Sequence, residues 1–178
     1  MVAAAETLMN KRNRLNLGLL GLVTALLLIA VFEPGRESPP TPVPLLELAP
    51  EQVQNIGIER PGQEAVVLRK QAGAWFLIKP LEAPGNTALI DAVLKITTAV
   101  CPLRYPSTAL ELAKLQLDPP LLTLILNDQE LAFGGTESLD NRRYLRIKDT
   151  VYLCTDRYYY LLTGTAASFA AGQPPKSD

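Results

Sequence analysis

Residues 121–133 read LLTLILNDQELAF, and this stretch decides how the rest of the chain is interpreted. Five of the residues 121–126 are large and apolar, and Asn127 and Asp128 then supply a turn before a second apolar run. The pattern predicts an antiparallel hairpin of strands at 121–126 and 130–133. Because the first strand is apolar on both faces, it is either the central strand of a covered sheet, which we favour, or a strand that offers one face to a partner.

Two further pairs of strands are predicted on either side of this hairpin. Residues 64–70 and 74–79 are joined by a glycine-containing turn, and 142–147 and 150–154 are joined by two residues. Strands joined by tight turns pair antiparallel. Helices are predicted at four segments, the last three capped by Asn86, Ser107 and Asp156: 50–56, 86–100, 107–115 and 157–163. The predicted fold class is therefore α+β, an antiparallel sheet of hairpins packed with helices on one side.

An uncharged stretch of eighteen residues, 15–32, lies near the N-terminus. As a helix it would be about 27 Å long, so it is predicted to be a transmembrane helix, with a cleaved signal peptide and a buried helix as the alternatives. Lys11, Arg12 and Arg14 precede it, which places residues 1–14 in the cytoplasm. The predicted location is the inner (plasma) membrane, crossed once, with the C-terminal domain in the periplasm or another extracytoplasmic space.

The exported part is predicted to contain a linker, a domain and a tail. Residues 33–44 read EPGRESPPTPVP, and five prolines exclude a helix or a central strand, which favours an extended linker. Residues 45–164 are long enough to form one α+β domain with its own core. The small residues and prolines of 165–178 predict a flexible tail.

Composition excludes several classes of function. The 178 residues carry a net charge of −1, which gives no electrostatic basis for binding nucleic acid. They contain no histidine, the commonest general base and a common zinc ligand. The carboxylates are scattered among turns and caps, and Gly134-Gly135 lacks the residues of a phosphate loop. We therefore expect no enzymatic activity, no cofactor and no catalytic, cofactor-binding or metal site.

Cys101 and Cys154 are the only two cysteines, and both fall in the part predicted to be exported. A disulfide between them would suit an oxidising compartment and would contribute about 4 kcal/mol by constraining the unfolded chain. The alternative, which we favour, is two buried thiols that pack as small apolar residues. Their spacing excludes a CxxC redox or metal motif.

Arginine and tyrosine are concentrated at 142–146 and 157–160. Both residue types are enriched at the energetic centres of protein interfaces. One hypothesis is that these segments contact a partner protein, and the alternative is a solvated hairpin edge with tyrosines packed on the sheet. The residues of the predicted interface are Arg142, Arg143, Tyr144, Arg146, Tyr158 and Tyr159.

Several motifs resemble those of one bacterial family. They are AGAWFLIKP at 72–80, LQLDPP at 115–120, LAFG at 131–134, RYLR at 143–146 and VYL at 151–153. The chain resembles domain-of-unknown-function family 4340 over roughly residues 46–162, with Gln116 where the family has a glycine. The resemblance implies a membrane-anchored extracytoplasmic domain without enzymatic activity. Members of that family often accompany ABC-type transport systems labelled as gliding-motility accessories.

These observations together predict a non-enzymatic single-pass membrane protein. Its exported domain would be an accessory or scaffold subunit of an envelope protein complex, with transport as one process that the complex could serve. Its expected partners are the membrane lipid bilayer and other envelope or membrane proteins, with no nucleic acid. The alternative function is the binding of a small ligand, such as a lipid or glycan, between the sheet and the helices.

Overall fold

The structure, a computed structural model, describes residues 11–32, 44–138 and 140–172. The chain divides into two units with the boundary between Thr41 and Pro42, and each unit is described by itself. The predicted linker at 33–44 lies outside the described residues, except for its last residue.

The first unit contains one helix, α1 (Lys11–Phe32), which begins before the apolar run and includes basic residues in its first turn. Its described side chains, those of residues 13–28, are exposed. Within the described ranges, no helix is long and apolar enough to cross a membrane. The structure therefore contradicts the predicted transmembrane helix at 15–32.

The second unit is built on one antiparallel sheet of nine strands. The strands lie in the order β4-β3-β2-β1-β6-β7-β8-β9-β5. Tight hairpins join β2 to β3, β6 to β7 and β8 to β9, as the sequence predicts. The bounds are β1 (Asn55–Glu59), β2 (Val66–Gln71), β3 (Ala74–Lys79), β4 (Ala83–Pro84), β5 (Leu103–Pro106), β6 (Leu122–Leu126), β7 (Gln129–Thr136), β8 (Arg142–Ile147) and β9 (Thr150–Thr155).

The predicted fold class, α+β with several helices on the sheet, is wrong because it has too many helices for the size of its sheet. Two short α-helices, α2 (Thr87–Leu94) and α3 (Arg157–Leu162), accompany the sheet in the described part of this unit, whereas the sequence predicts four helical segments. Segment 50–56 makes only a 3-10 turn, and its last two residues begin β1, where Ile56 and Ile58 are buried and alternate with more exposed residues as a strand requires. Segment 107–115 contains a 3-10 helix that stops where Leu110 takes an extended backbone. The second unit is thus a large antiparallel sheet with few helices.

Helix α2 begins where the sequence predicts and ends six residues early. Asn86 caps it, because its side-chain oxygen accepts a hydrogen bond from the Leu89 N–H at 3.3 Å. After the helix, the Thr97 hydroxyl donates to the Leu94 carbonyl at 3.1 Å, and the Thr97 carbonyl accepts from the Leu46 N–H at 3.1 Å. The chain after Leu94 is therefore bonded to a neighbouring extended segment instead of continuing the helix.

The main core lies between one face of the sheet, here called the inner face, and the helices that cover it. Helices α2 and α3 and the 3-10 helix Ala166–Phe169 pack there, and Phe169 is fully buried. The domain therefore extends to residue 172, beyond the predicted boundary at 164. The inner face of the central strands contributes Ile56, Ile58, Val66, Leu68, Leu122, Leu124, Leu126 and Leu131.

Strand β6 is a central strand, because it pairs with β1 on one side and β7 on the other. Its three leucines point into the core, whereas Thr123 and Ile125 are half-buried on the opposite face, here called the outer face. The prediction that this strand is central in the sheet is confirmed. The prediction that the sheet is covered on both faces holds less well, because the outer side chains of β6 are only half-buried.

A second, smaller core covers the outer face at the other end of the sheet. Leu117, Ala132 and Val151 form its buried centre, and the segment 110–115 packs against them together with Tyr144. The Gly135 N–H donates to the Leu115 carbonyl at 2.8 Å. This contact holds the covering segment against β7.

Replacing Gly134 by alanine is expected to destabilise the domain by about 1–3 kcal/mol. An added Cβ would lie 2.9 Å from Leu117 Cγ and against the Leu115 carbonyl oxygen, both of which are held by packing. The matched control is Gly135→Ala, whose Cβ would meet only the movable amide oxygen of Gln116 at 2.7 Å. Urea denaturation compares the two variants. Equal midpoints would contradict tight packing of this segment on β7.

Candidate interaction surface

The residues of the predicted interface do not share one surface. Side chains along β8 alternate between the faces, so Arg143 points to the inner face while Arg142, Tyr144 and Arg146 point to the outer face. Tyr158 is buried in the main core, and Tyr159 is partly buried against it. The structure therefore separates the six residues into a buried group and an outer group.

The buried group is organised around Arg143, which is only 7% exposed. Its guanidinium forms a two-pronged ion pair with Asp156, through Nε to Oδ1 and through Nη2 to Oδ2, and Nη1 also donates to the Gly134 carbonyl. The same guanidinium lies over the Tyr159 ring, 3.6 Å from its centroid. These contacts join β7 and β8 to the start of α3, and they are structural because the guanidinium is buried and each of its three nitrogens donates within the protein.

The role predicted for Asp156 as the cap of α3 is wrong. Asp156 stands at the cap position, but it makes no side-chain hydrogen bond to the helix. Its two carboxylate oxygens accept from Arg143 instead. A charged donor that is itself buried makes a stronger hydrogen bond than a backbone N–H at a helix end.

Tyr158 also has a structural position. Its hydroxyl accepts from Arg157 Nη2 at 2.7 Å and donates to the Lys95 carbonyl at 3.2 Å, which ties α3 to the end of α2. Neither Tyr158 nor Arg143 presents its polar atoms to a partner. The tyrosine of this segment that is exposed is Tyr160, at 68%.

The outer group continues across the neighbouring strands. Tyr144 is paired with Leu153 and Leu153 with Leu103, while Arg146 is paired with Val151 and Val151 with Tyr105. Cross-strand partners lie on the same face, and Leu103 and Tyr105 are both well exposed on the edge strand β5. Leu153 and Val151, which lie between β8 and β5, are buried, and Tyr144 packs against the second core that includes Val151. We call the set Arg142, Tyr144, Arg146, Leu103 and Tyr105 the arginine–tyrosine surface.

Sequence reasoning missed Leu103 and Tyr105. They come from a four-residue strand that follows Pro102 and ends at Pro106, and such a short segment does not show its strand pairing locally. The alternation of apolar and polar residues in LRYP was the available signal. The pairing of β5 with β9 places this strand one position beyond β8, on the far side of β9.

A disulfide joins Cys101 to Cys154, so the favoured prediction of two free thiols is wrong. Cys154 lies on the inner face of β9, directly across from Arg143. Cys101 precedes β5, the strand that pairs with β9. The pairing of β5 with β9 brings together two cysteines that are 53 residues apart in the chain.

Within residues 11–32, 44–138 and 140–172, no cluster of three or more histidine, cysteine, aspartate or glutamate side chains could hold a metal ion. Comparison with family models, curated proteins and solved structures finds no match to this chain.

Proposed function

We propose that this protein is a non-enzymatic accessory or scaffold subunit of an envelope protein complex, and that its domain works by contacting another protein. The observation that carries the proposal is the arginine–tyrosine surface. It brings arginines, tyrosines and an exposed leucine to the outer face of β8 and β5, on either side of β9, whose outer residues Val151 and Leu153 are buried. Such residues dominate the energetic centres of protein interfaces, where aromatic rings and guanidinium groups bury large areas at low entropic cost.

The disulfide supports an extracytoplasmic location for the domain. Disulfides persist in secreted, periplasmic and cell-surface proteins, while reducing systems keep most cytosolic thiols free. Cys154 is 5% exposed and sits within the main core, so this bond belongs to the packed interior of the domain. The proposed position is the outer side of the inner membrane, beside other envelope proteins, with transport components of the kind the resemblance implies among them.

The predicted alternative, a small-ligand cleft between the sheet and the helices, has no observation that favours it among the described residues. Ile90, Val93 and Leu94 of α2 and Leu162 of α3 belong to the same buried cluster as the inner face of the sheet. Side chains therefore occupy the space where a lipid or glycan was expected.

The proposal predicts that the double variant Tyr105→Ala/Arg146→Glu loses its partner. Removing an aromatic anchor and reversing a charge at an interface centre is expected to reduce the recovered partner at least about tenfold. The measurement is cross-linking in intact cells, purification of the full chain and quantitation of each protein that co-purifies with the wild type.

The matched control is Arg104→Glu. Arg104 is exposed on the same edge strand, but it is paired with Tyr152 and so lies on the inner-face side. This variant should retain the partner. Equal recovery from the double variant and the wild type would overturn the proposal.

A further inference from the structure

The outer face of the first half of the sheet carries a row of five residues on five adjacent strands. Lys79 is paired with Val67, Val67 with Gly57, Gly57 with Ile125 and Ile125 with Glu130. The register of β2 against β3 shifts at Val67, where β3 has one extra residue, so Ile78 and Lys79 both lie opposite Val67 and the simple alternation of β3 ends there. We call these five residues the outer row. They lie apart from the arginine–tyrosine surface, which belongs to the other end of the sheet, so an inference about them does not depend on the proposed function.

The middle of the outer row is apolar and only half-covered. Val67, Ile125 and the glycine between them are half-buried, and neither of the two core clusters includes them among the described residues. Phe76 and Ile78, which also alternate with the buried residues of β3, are half-buried in the same way. Gly57 leaves a shallow notch, because a Cβ placed there would contact the Ile125 side chain at 3.4 Å.

The ends of the outer row carry opposite charges. Lys79 stands two strands from Gly57 on one side, and Glu130 stands two strands from it on the other side. Both side chains belong to exposed residues. A twofold rotation about an axis along β1 places Lys79 of one chain over Glu130 of the second chain, and the reverse, while Val67 lies over Ile125.

We propose that the outer row is the centre of a symmetric interface between two copies of this chain. The pattern of basic residue, aliphatic residue, glycine, aliphatic residue and acidic residue is its own complement under that rotation. Each favourable pair forms twice, as an isologous interface requires. Two twisted sheets that pack face to face with their strands nearly aligned are a common arrangement, with about 10 Å between them.

Other charges on this face help to set the strength of the interface. Arg69 would lie over the exposed turn that contains Asp128 of the second copy, which adds a favourable pair. Glu59 lies on β1, close to the axis, and would face its own copy at roughly 10 Å, where salt screens the repulsion between exposed charges. Five strands cover about 20 Å by 24 Å, which corresponds to the lower end of specific interfaces. We therefore expect a dimer that forms at micromolar concentration.

Charge exchange tests the pairing. In sedimentation experiments on the full chain, Lys79→Glu and Glu130→Lys are each expected to weaken the dimer about tenfold or more, because each creates two like-charge pairs. The double variant Lys79→Glu/Glu130→Lys is expected to return the dissociation constant to within about threefold of the wild type. Circular dichroism confirms that each variant is folded.

Cross-linking tests the position of the axis. The chain has two cysteines and both are in the disulfide, so an added cysteine is the only free thiol. Gly57→Cys should cross-link to Gly57→Cys of the second chain with a bismaleimide of about 10 Å. Ala74→Cys should not, because Ala74 lies on β3, on the outer face like Gly57 but far from the axis. Any of three results would overturn the proposal. They are a wild-type chain that is monomeric at hundreds of micromolar, a dissociation constant that neither charge reversal changes, and more cross-linking of Ala74→Cys than of Gly57→Cys.

Discussion

Arg143→Ala is expected to lower the free energy of unfolding by about 3–5 kcal/mol. The substitution removes the two-pronged partner of Asp156, whose side chain is only 13% exposed, and leaves that carboxylate buried without a counter-charge. It also removes the donor to the Gly134 carbonyl and the cation over the Tyr159 ring. Because whole domains are stable by only about 5–15 kcal/mol, the variant should be close to unfolding at 37 °C. Urea denaturation followed by circular dichroism measures the loss.

Arg142→Ala is the matched control for this prediction. Arg142 is the neighbouring residue on the same strand, and its ion pair with Asp140 at 3.3 Å is partly exposed to solvent. Its removal should cost less than about 1 kcal/mol. The double variant Arg143→Met/Asp156→Leu should be more stable than Arg143→Ala, since no charge remains unpaired in the interior. Similar losses for Arg143→Ala and Arg142→Ala would contradict the structural role assigned to Arg143.

Loss of the disulfide is expected to cost about 4 kcal/mol. The bond joins residues 53 apart in the chain, so its removal restores considerable freedom to the unfolded state. The variant Cys101→Ala/Cys154→Ala removes both sulfurs without leaving a free thiol. Urea denaturation of the oxidised wild type and of the variant measures the difference.

Reductant provides the control for this second prediction. It should lower the stability of the wild type toward that of Cys101→Ala/Cys154→Ala, and it should leave the variant unchanged, because no other cysteine is present. A wild type whose denaturation midpoint is the same with and without reductant, under conditions where thiol titration shows complete reduction, would contradict the prediction.

The hairpins were predictable because their signals are local. Ala72, Asn127 and Lys148 each adopt a positive φ in the turn of a hairpin, and each lies between two short runs of strand-forming residues. Asn86 could likewise be assigned as a cap, since the hydrogen bond it accepts comes from a residue three positions later. In these cases the residues that form the turn or the cap lie within a few positions of one another in the chain.

The sequence predicts more helices than the structure contains. A helical spacing of apolar residues does not determine which surface the segment packs against, and that surface decides the backbone conformation. Residues 110–115 have helically spaced leucines, yet they serve as a cover for the outer face of the sheet and fold as a series of turns. Thr97 bonds backward to the Leu94 carbonyl and stops α2 within the predicted span. Packing against the sheet outweighs helix propensity in both segments.

The candidate interaction surface could be predicted only in part. The sequence identified the arginine- and tyrosine-rich segments, but it could not decide which arginine of the pair Arg142 and Arg143 points inward. That choice depends on the register of β8 against β9, which places Arg143 beside Cys154 and opposite Asp156. A shift of one residue would have exchanged the two faces.

The sequence by itself determined the tight hairpins, the cap of α2 and the absence of histidine-based chemistry, because each depends on residue type or on neighbours a few positions apart. The tertiary structure alone decided the bond between Cys101 and Cys154, the burial of Arg143 and the position of Leu103 and Tyr105 one strand beyond β8. The burial of Arg143 arises from the register of β8 against β9. The other two features arise when β5, at the edge of the sheet, pairs with β9, a strand more than forty residues later in the chain. Such long-range pairing is selected by the combined burial of the whole sheet, which no short stretch of sequence encodes.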